Sequence, residues 1–155
     1  MNSTQWHEVN AAVKRFGAQV GLDDCTLDER GTALLIFDDA PVSLMLDEEH
    51  DALLLLSTIG RLPARAETYG WLLDANLFWA ATRGATLAKD AGGGTIILQH
   101  SLSAAGLQPE DLEVALKRFV TTVENWRRKF AQWDAVPPPD DADEMAPLMH
   151  QMLRA

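Results

Sequence analysis

PARAETYGWLLDANLFWAAT, residues 63–82, is the stretch from which this chain is best read. Pro63 suits the first position of a helix, where its missing N–H would be unpaired in any case. Gly84 stands just past the far end, where a helix stop belongs. Between them Tyr69, Trp71, Leu72, Leu73, Leu77, Phe78 and Trp79 fit no single helical stripe. Leu73 and Leu77 share one face, Leu72 and Trp79 a second, Trp71 and Phe78 a third. A helix that is apolar nearly all round is buried on more than one side. One side can face the chain's own sheet. The others need further cover, and we expect a second copy of the same helix to supply it.

Upstream, Ser3 or Thr4 can cap a first helix, with Trp6, Val9, Val13, Phe16 and Val20 on one amphipathic face and Gly21 as its stop. Three short apolar runs follow: TALLIF (Thr32–Phe37), VSLML (Val42–Leu46) and ALLLLSTI (Ala52–Ile59). The acidic clusters at Asp38–Pro41 and Asp47–Asp51 punctuate them, which predicts an antiparallel meander. Downstream, ATLAK (Ala85–Lys89) and TIILQHSL (Thr95–Leu102) flank a glycine-rich turn and read as a hairpin. The turn has neither the Lys nor the Ser/Thr of a phosphate loop, and it leads into a strand. Gln108, Pro109, Glu110 and Asp111 then open a long helix, with acids at its positive end. Leu112, Leu116, Phe119, Val123, Trp126, Phe130 and Trp133 mark the face expected on the sheet.

The predicted fold is therefore α+β, in the order helix, three strands, helix, two strands, helix, with helices packed on a twisted antiparallel sheet. Residues 1–134 form the expected domain. Residues 135–155 form an acidic, Pro-rich linker and a short tail bearing Met145, Leu148, Met149, Met152 and Leu153. Three fates stay open for that tail: docking on its own domain, insertion in a groove, or fraying.

Composition narrows the function. A formal net charge of -10 disfavours a nucleic-acid partner, whose binding needs Lys and Arg, and equally an anionic membrane surface. Cys25 is the sole cysteine, which excludes an intrachain disulfide and fits a cytoplasmic setting. The N-terminus lacks the continuous apolar core of a signal peptide, and no apolar run is long enough for a membrane span. His7, His50, His100 and His150 share no metal-ligand spacing, and the acidic runs do not match a calcium loop. Acidic neighbours oppose thiolate formation at Cys25. No catalytic residues, metal or cofactor are expected.

What the sequence offers instead is surplus apolar surface. Leu34 and Ile36 oppose Ala33, Leu35 and Phe37 across one strand; Leu54 and Leu56 oppose Leu53, Leu55 and Ile59 across another. Each bulky side chain left in water forgoes about 1.5–3 kcal/mol of burial. Three helices, one already committed elsewhere, do not easily cover both faces. A large apolar patch usually marks a protein-binding surface, although a dimer or the tail could equally complete a second layer.

The same order of elements resembles the class I type III secretion chaperones, the Tir chaperone family, over about residues 5–133. LLDANLF (Leu72–Phe78) resembles that family's leucine-rich stretch, and GRLP (Gly60–Pro63) the link before it. GATLA (Gly84–Ala88) and ILQHSL (Ile97–Leu102) resemble the strands that follow, and Leu112 to Trp126 the last helix. The resemblance implies a cytoplasmic homodimer that binds the N-terminal segment of a secreted effector in extended form, without nucleotide. Contact with the secretion apparatus is left open. It places the dimer interface at Tyr69, Leu72, Leu73, Asn76, Leu77, Trp79, Thr86 and Leu87. Asn76, polar amid an apolar helix, is expected to hydrogen-bond near that interface and fix its register. For the effector we expect strand addition at a sheet edge, with side-chain pockets drawn from Val13, Phe16, Leu34, Ile36, Met45, Leu54 and Leu56. Two other readings remain: a non-catalytic dimeric adaptor or regulator on the same scaffold, and a small-molecule enzyme, which would need a deep polar pocket.

Overall fold

A computed structural model describes residues 3–133. The expected linker and tail, residues 135–155, lie outside the described residues. Helix α1 spans Thr4–Val20. Ser3 caps it by accepting a hydrogen bond from the Trp6 N–H at 3.0 Å, and Gly21 ends it in the left-handed conformation at φ 74°. Strands β1 (Thr32–Phe37), β2 (Ala40–Asp47) and β3 (Ala52–Gly60) form the antiparallel meander. Asp38 and Asp51 take positive φ in the turns, a conformation that Asp tolerates better than most residues.

Helix α2 spans only Ala66–Ala75, which corrects the single helix expected across residues 63–82. Pro63 precedes the helix; Arg65 is its N-cap. The cause of the early stop is Asn76. Its carboxamide leaves the helix and bonds the backbone of Leu87, so the chain turns there. Leu77–Trp79 form one 3₁₀ turn, with Phe78 and Trp79 in left-handed conformations. Gly84, at φ 88°, closes this irregular segment by donating its N–H to the Trp79 carbonyl at 3.0 Å.

Strands β4 (Thr86–Lys89) and β5 (Ile96–Ser103) complete a five-stranded sheet in the order β1-β2-β3-β5-β4, antiparallel throughout. β5 inserts between β3 and β4, so α2 carries the chain past one strand position. Asp90 shapes the β4–β5 turn, its carboxylate accepting from the Gly92 and Gly93 N–H groups. Helix α3 (Pro109–Ala131) starts with Pro109, and Asp111 accepts from the Gln108 N–H at 3.3 Å. Helices α1 and α3 pack together on one face of the sheet. Val9, Val13, Phe16, Val42, Leu44, Leu53, Leu55, Leu98, Leu112, Leu116, Phe119 and Trp126 form one continuous core between them. Leu72 joins that core from α2, while Trp71 stacks on Trp126, Phe130 and Trp133 at the end of α3. Arg127 ties α3 to the sheet, donating to the Thr58 and Asp39 carbonyls at 2.7 and 2.9 Å.

Where α1 passes the loop to β1, Gly17 leaves no room for a side chain. A Cβ there would lie 2.3 Å from the Cβ of Cys25, which is buried and whose thiol is pushed above its ordinary pKa by that burial. Alanine improves an interior helix position by about 1 kcal/mol over glycine. Overpacking a core costs about 1–3 kcal/mol. We expect overpacking to prevail: Gly17→Ala lowers the urea midpoint, and adding Cys25→Ala does not restore it, because the closest clash is with the Cβ that alanine keeps.

Candidate peptide-binding face and edge

Alternation along the strands sorts their side chains onto two faces. Leu35, Val42, Leu44, Leu53, Leu55 and Leu98 point toward the helices and are buried. The opposite face carries Leu34, Ile36, Met45, Leu54 and Leu56, placed side by side by the pairings Leu34↔Ser43, Met45↔Leu54 and Ser43↔Leu56. Leu34 and Ile36 are each 62% exposed and Met45 is exposed, whereas Leu54 and Leu56 are half-buried by their neighbours. Ile97, aligned with Thr58 and Ala88, extends this face toward β4. Strand alternation could have added Ile97 to the expected set.

Val13 and Phe16 do not belong to this surface. They are 0% and 2% exposed and lie on the buried side of α1, against the other face of the sheet. Helical periodicity identified their face correctly, but that face is core. Only an edge of Phe16 reaches an open groove between α1 and α3, which Val20, Leu22, Phe37, Leu116 and Val120 also line.

The two sheet edges differ. A two-residue turn joins Phe37 to Ala40, and the Leu46 N–H donates to the Gly31 carbonyl at 2.8 Å. Both make Ala33, Leu35 and Phe37 the residues bonded to β2, so the N–H and C=O groups of Thr32, Leu34 and Ile36 face outward. Asp28 covers Thr32. Its N–H donates to the Thr32 carbonyl at 2.7 Å, and its carboxylate accepts from the Thr32 N–H and hydroxyl at 2.9 and 2.8 Å. Those bonds hold the Asp28 carboxyl below the usual carboxylate pKa. No described residue covers Leu34 or Ile36 in this way. At the other edge, Asn76 Nδ2 donates to the Leu87 carbonyl at 2.9 Å and Oδ1 accepts from its N–H at 2.8 Å. The Ala85 N–H is bonded to the Thr82 carbonyl. That edge is therefore covered at Ala85 and Leu87, whereas β1 is open at Leu34 and Ile36.

Asn76 thus serves its own chain, where the sequence suggested a role at a subunit interface. Leu72 and Leu87, also expected at that interface, are buried in their own core. Tyr69, Leu73 and Trp79 are exposed on the outer side of α2 and the turn after it, with Leu77 and Thr86 half-buried. Trp79 Nε1 donates to Thr86 Oγ1 at 3.3 Å. Phe78, absent from the expected interface set, is exposed beside them. Its left-handed backbone turns it outward, and no periodic pattern announces such a turn. Among the described residues there is no cluster of three or more His, Cys, Asp or Glu able to hold a metal ion. No described helix is long and apolar enough to cross a membrane.

Residues 11–127 match the profile of the Tir chaperone protein (CesT) family, and the chain belongs to that family. It is similar to the transcriptional anti-antiactivator ExsC of Pseudomonas aeruginosa, with 29% identity over 123 residues, covering 78% of this chain and 84% of ExsC. The fold resembles that in the crystal structure of the ExsC–ExsE complex, with a TM-score of 0.71 and 28% identity over 81% of this chain and 95% of that one. It also resembles that in the complex of the Yersinia pestis type III secretion chaperone SycH with a fragment of YscM2 (TM-score 0.61, 20% identity, 76% and 98% coverage).

The two groups of expected binding residues should separate in stability measurements. Leu34→Thr and Ile36→Thr keep strand-compatible, exposed side chains and should each cost less than about 1 kcal/mol. Phe16→Ala should cost about 3–5 kcal/mol through cavity formation. Urea titration followed by tryptophan fluorescence reads both.

Proposed function

We propose that this protein is a homodimeric, non-catalytic chaperone of the cytoplasm. It binds the N-terminal region of a type III secreted effector, keeps that region extended and soluble, and delivers it for secretion. Family membership supports the class. One observation carries the binding mode: the outward backbone groups of Leu34 and Ile36, beside an uncovered apolar face. An extended peptide adds there as a further strand. Its main chain pairs with β1, and alternate side chains lie over Leu34, Ile36, Met45, Leu54 and Leu56. Ordering an extended peptide costs conformational entropy, so binding needs a long track of contacts, and two copies of the face double that track.

The twin docks through the outer side of α2 and the turn that follows it. Tyr69, Leu73, Phe78 and Trp79 form that surface, and Leu73 is 70% exposed in the single chain. Leu77 and Thr86 border it. Leu72, Leu87 and Asn76 support it from within.

The likeness to ExsC favours a second reading, in which the bound partner is a regulatory protein. Mass spectrometry of what the native protein carries from its own cell separates the two: a chaperone brings down an exported polypeptide through its N-terminal region, an adaptor a regulator that is not exported.

Two substitutions test the assignment. Leu34→Asp with Ile36→Asp should abolish pull-down of a cognate effector while leaving the dimer intact; retained binding removes the β1 site. Leu73→Asp should halve the mass seen in sedimentation without loss of helical circular dichroism, and an unchanged mass removes the α2 interface.

A further inference from the structure

Beside the C-terminal half of α3 the surface holds a hollow of about 290 Å³ lined by Arg83, Arg128 and Lys129 together with Asn125, Gln132 and Trp126. It has no carboxylate in its lining, although the whole chain carries 23 acidic residues against 13 Lys and Arg. None of the three cations makes an ion pair among the described residues. A helix C-terminus attracts positive charge, which accounts for Arg128 and Lys129. It does not account for Arg83, which comes from the irregular segment before β4 and holds a left-handed backbone at φ 52°. The cations are also positioned. Lys129 Nζ lies 4.4 Å from the centre of the Trp126 ring, and an Arg128 guanidinium nitrogen donates to Asn125 Oδ1 at 3.3 Å.

We propose that this hollow is an anion site for a carboxylate-rich peptide, and that its occupant is the chain's own acidic stretch, Asp140, Asp141, Asp143 and Glu144. Two observations select that occupant. Gln132, at the end of α3, lines the hollow, so the chain leaves the helix at the site itself. Asp134 follows two residues on and the acidic stretch itself begins eight residues on, and a chain of that length spans up to about 27 Å, enough to reach any part of the hollow. A short tether also gives the stretch a high effective concentration, so individually weak, salt-sensitive ion pairs suffice. The inference is independent of where an effector binds.

The test uses the full chain with a nitroxide on Ala142→Cys. Cys25 is buried with its thiol kept protonated, so the new cysteine is the one that reacts. At low ionic strength we expect selective broadening of the amide signals of Ala81, Arg83 and Asn125, and sparing of Val120 and Glu124 on the opposite flank of α3. The broadening should vanish at about 0.5 M NaCl, where the Debye length falls to about 4 Å. It should also vanish when Asp140, Asp141 and Asp143 become Asn and Glu144 becomes Gln, a variant that alters no packed residue of residues 3–133. Arg83→Gln with Arg128→Gln should have the same effect. Equal broadening of both flanks, broadening centred on Val120 and Glu124, or insensitivity to salt and to tail neutralisation would each overturn the proposal.

Discussion

The structure rests on a mismatch between strands that are apolar on both faces and helices sufficient for one. Register decides which face is covered. Because side chains alternate with a period of two, placing Leu35, Val42, Leu44, Leu53 and Leu55 against α1 and α3 forces Leu34, Ile36, Met45, Leu54 and Leu56 to the far side. A slip of one residue would exchange the sets and bring the charged Asp47 toward the core. The open face is therefore a direct result of how the core is satisfied.

Backbone polarity supplies the second constraint. A five-stranded open sheet has two edges, and an unprotected edge invites pairing with any available strand. This chain protects them unequally. Asn76 places one carboxamide across the Leu87 N–H and C=O, imitating a neighbouring strand for a single residue. Asp28 does the same at the start of β1 with its main chain and carboxylate together. Between Asp28 and the Asp38 turn, only the stretch around Leu34 and Ile36 stays available. The cover at Ala85 and Leu87 leaves less free backbone along β4 than β1 keeps beside the apolar face.

Much of this was legible in the sequence. Element order, the β1 span, the glycine stop of α1 and the apolar surplus follow from periodicity and turn chemistry, which are local. Residues 63–82 were harder. Their apolar run favours one helix on propensity alone, and the break at Asn76 arises from a partner in β4, eleven residues on in the chain. Val13 and Phe16 show the complementary difficulty. Sequence identifies an apolar helical face but does not say whether it meets the chain's own sheet or a guest. For the same reason the edge that stays open could not be chosen before β5 was placed between β3 and β4.

Arg127 gives the open edge a mechanical character. β1 has one strand neighbour, so traction along it passes into β2 by shear. The β1–β2 turn is in turn bolted to α3 through the Asp39 carbonyl, and the same guanidinium grips Thr58 at the end of β3. Load entering at the rim is thus shared with α3, and the hairpin is held against peeling from its turn end.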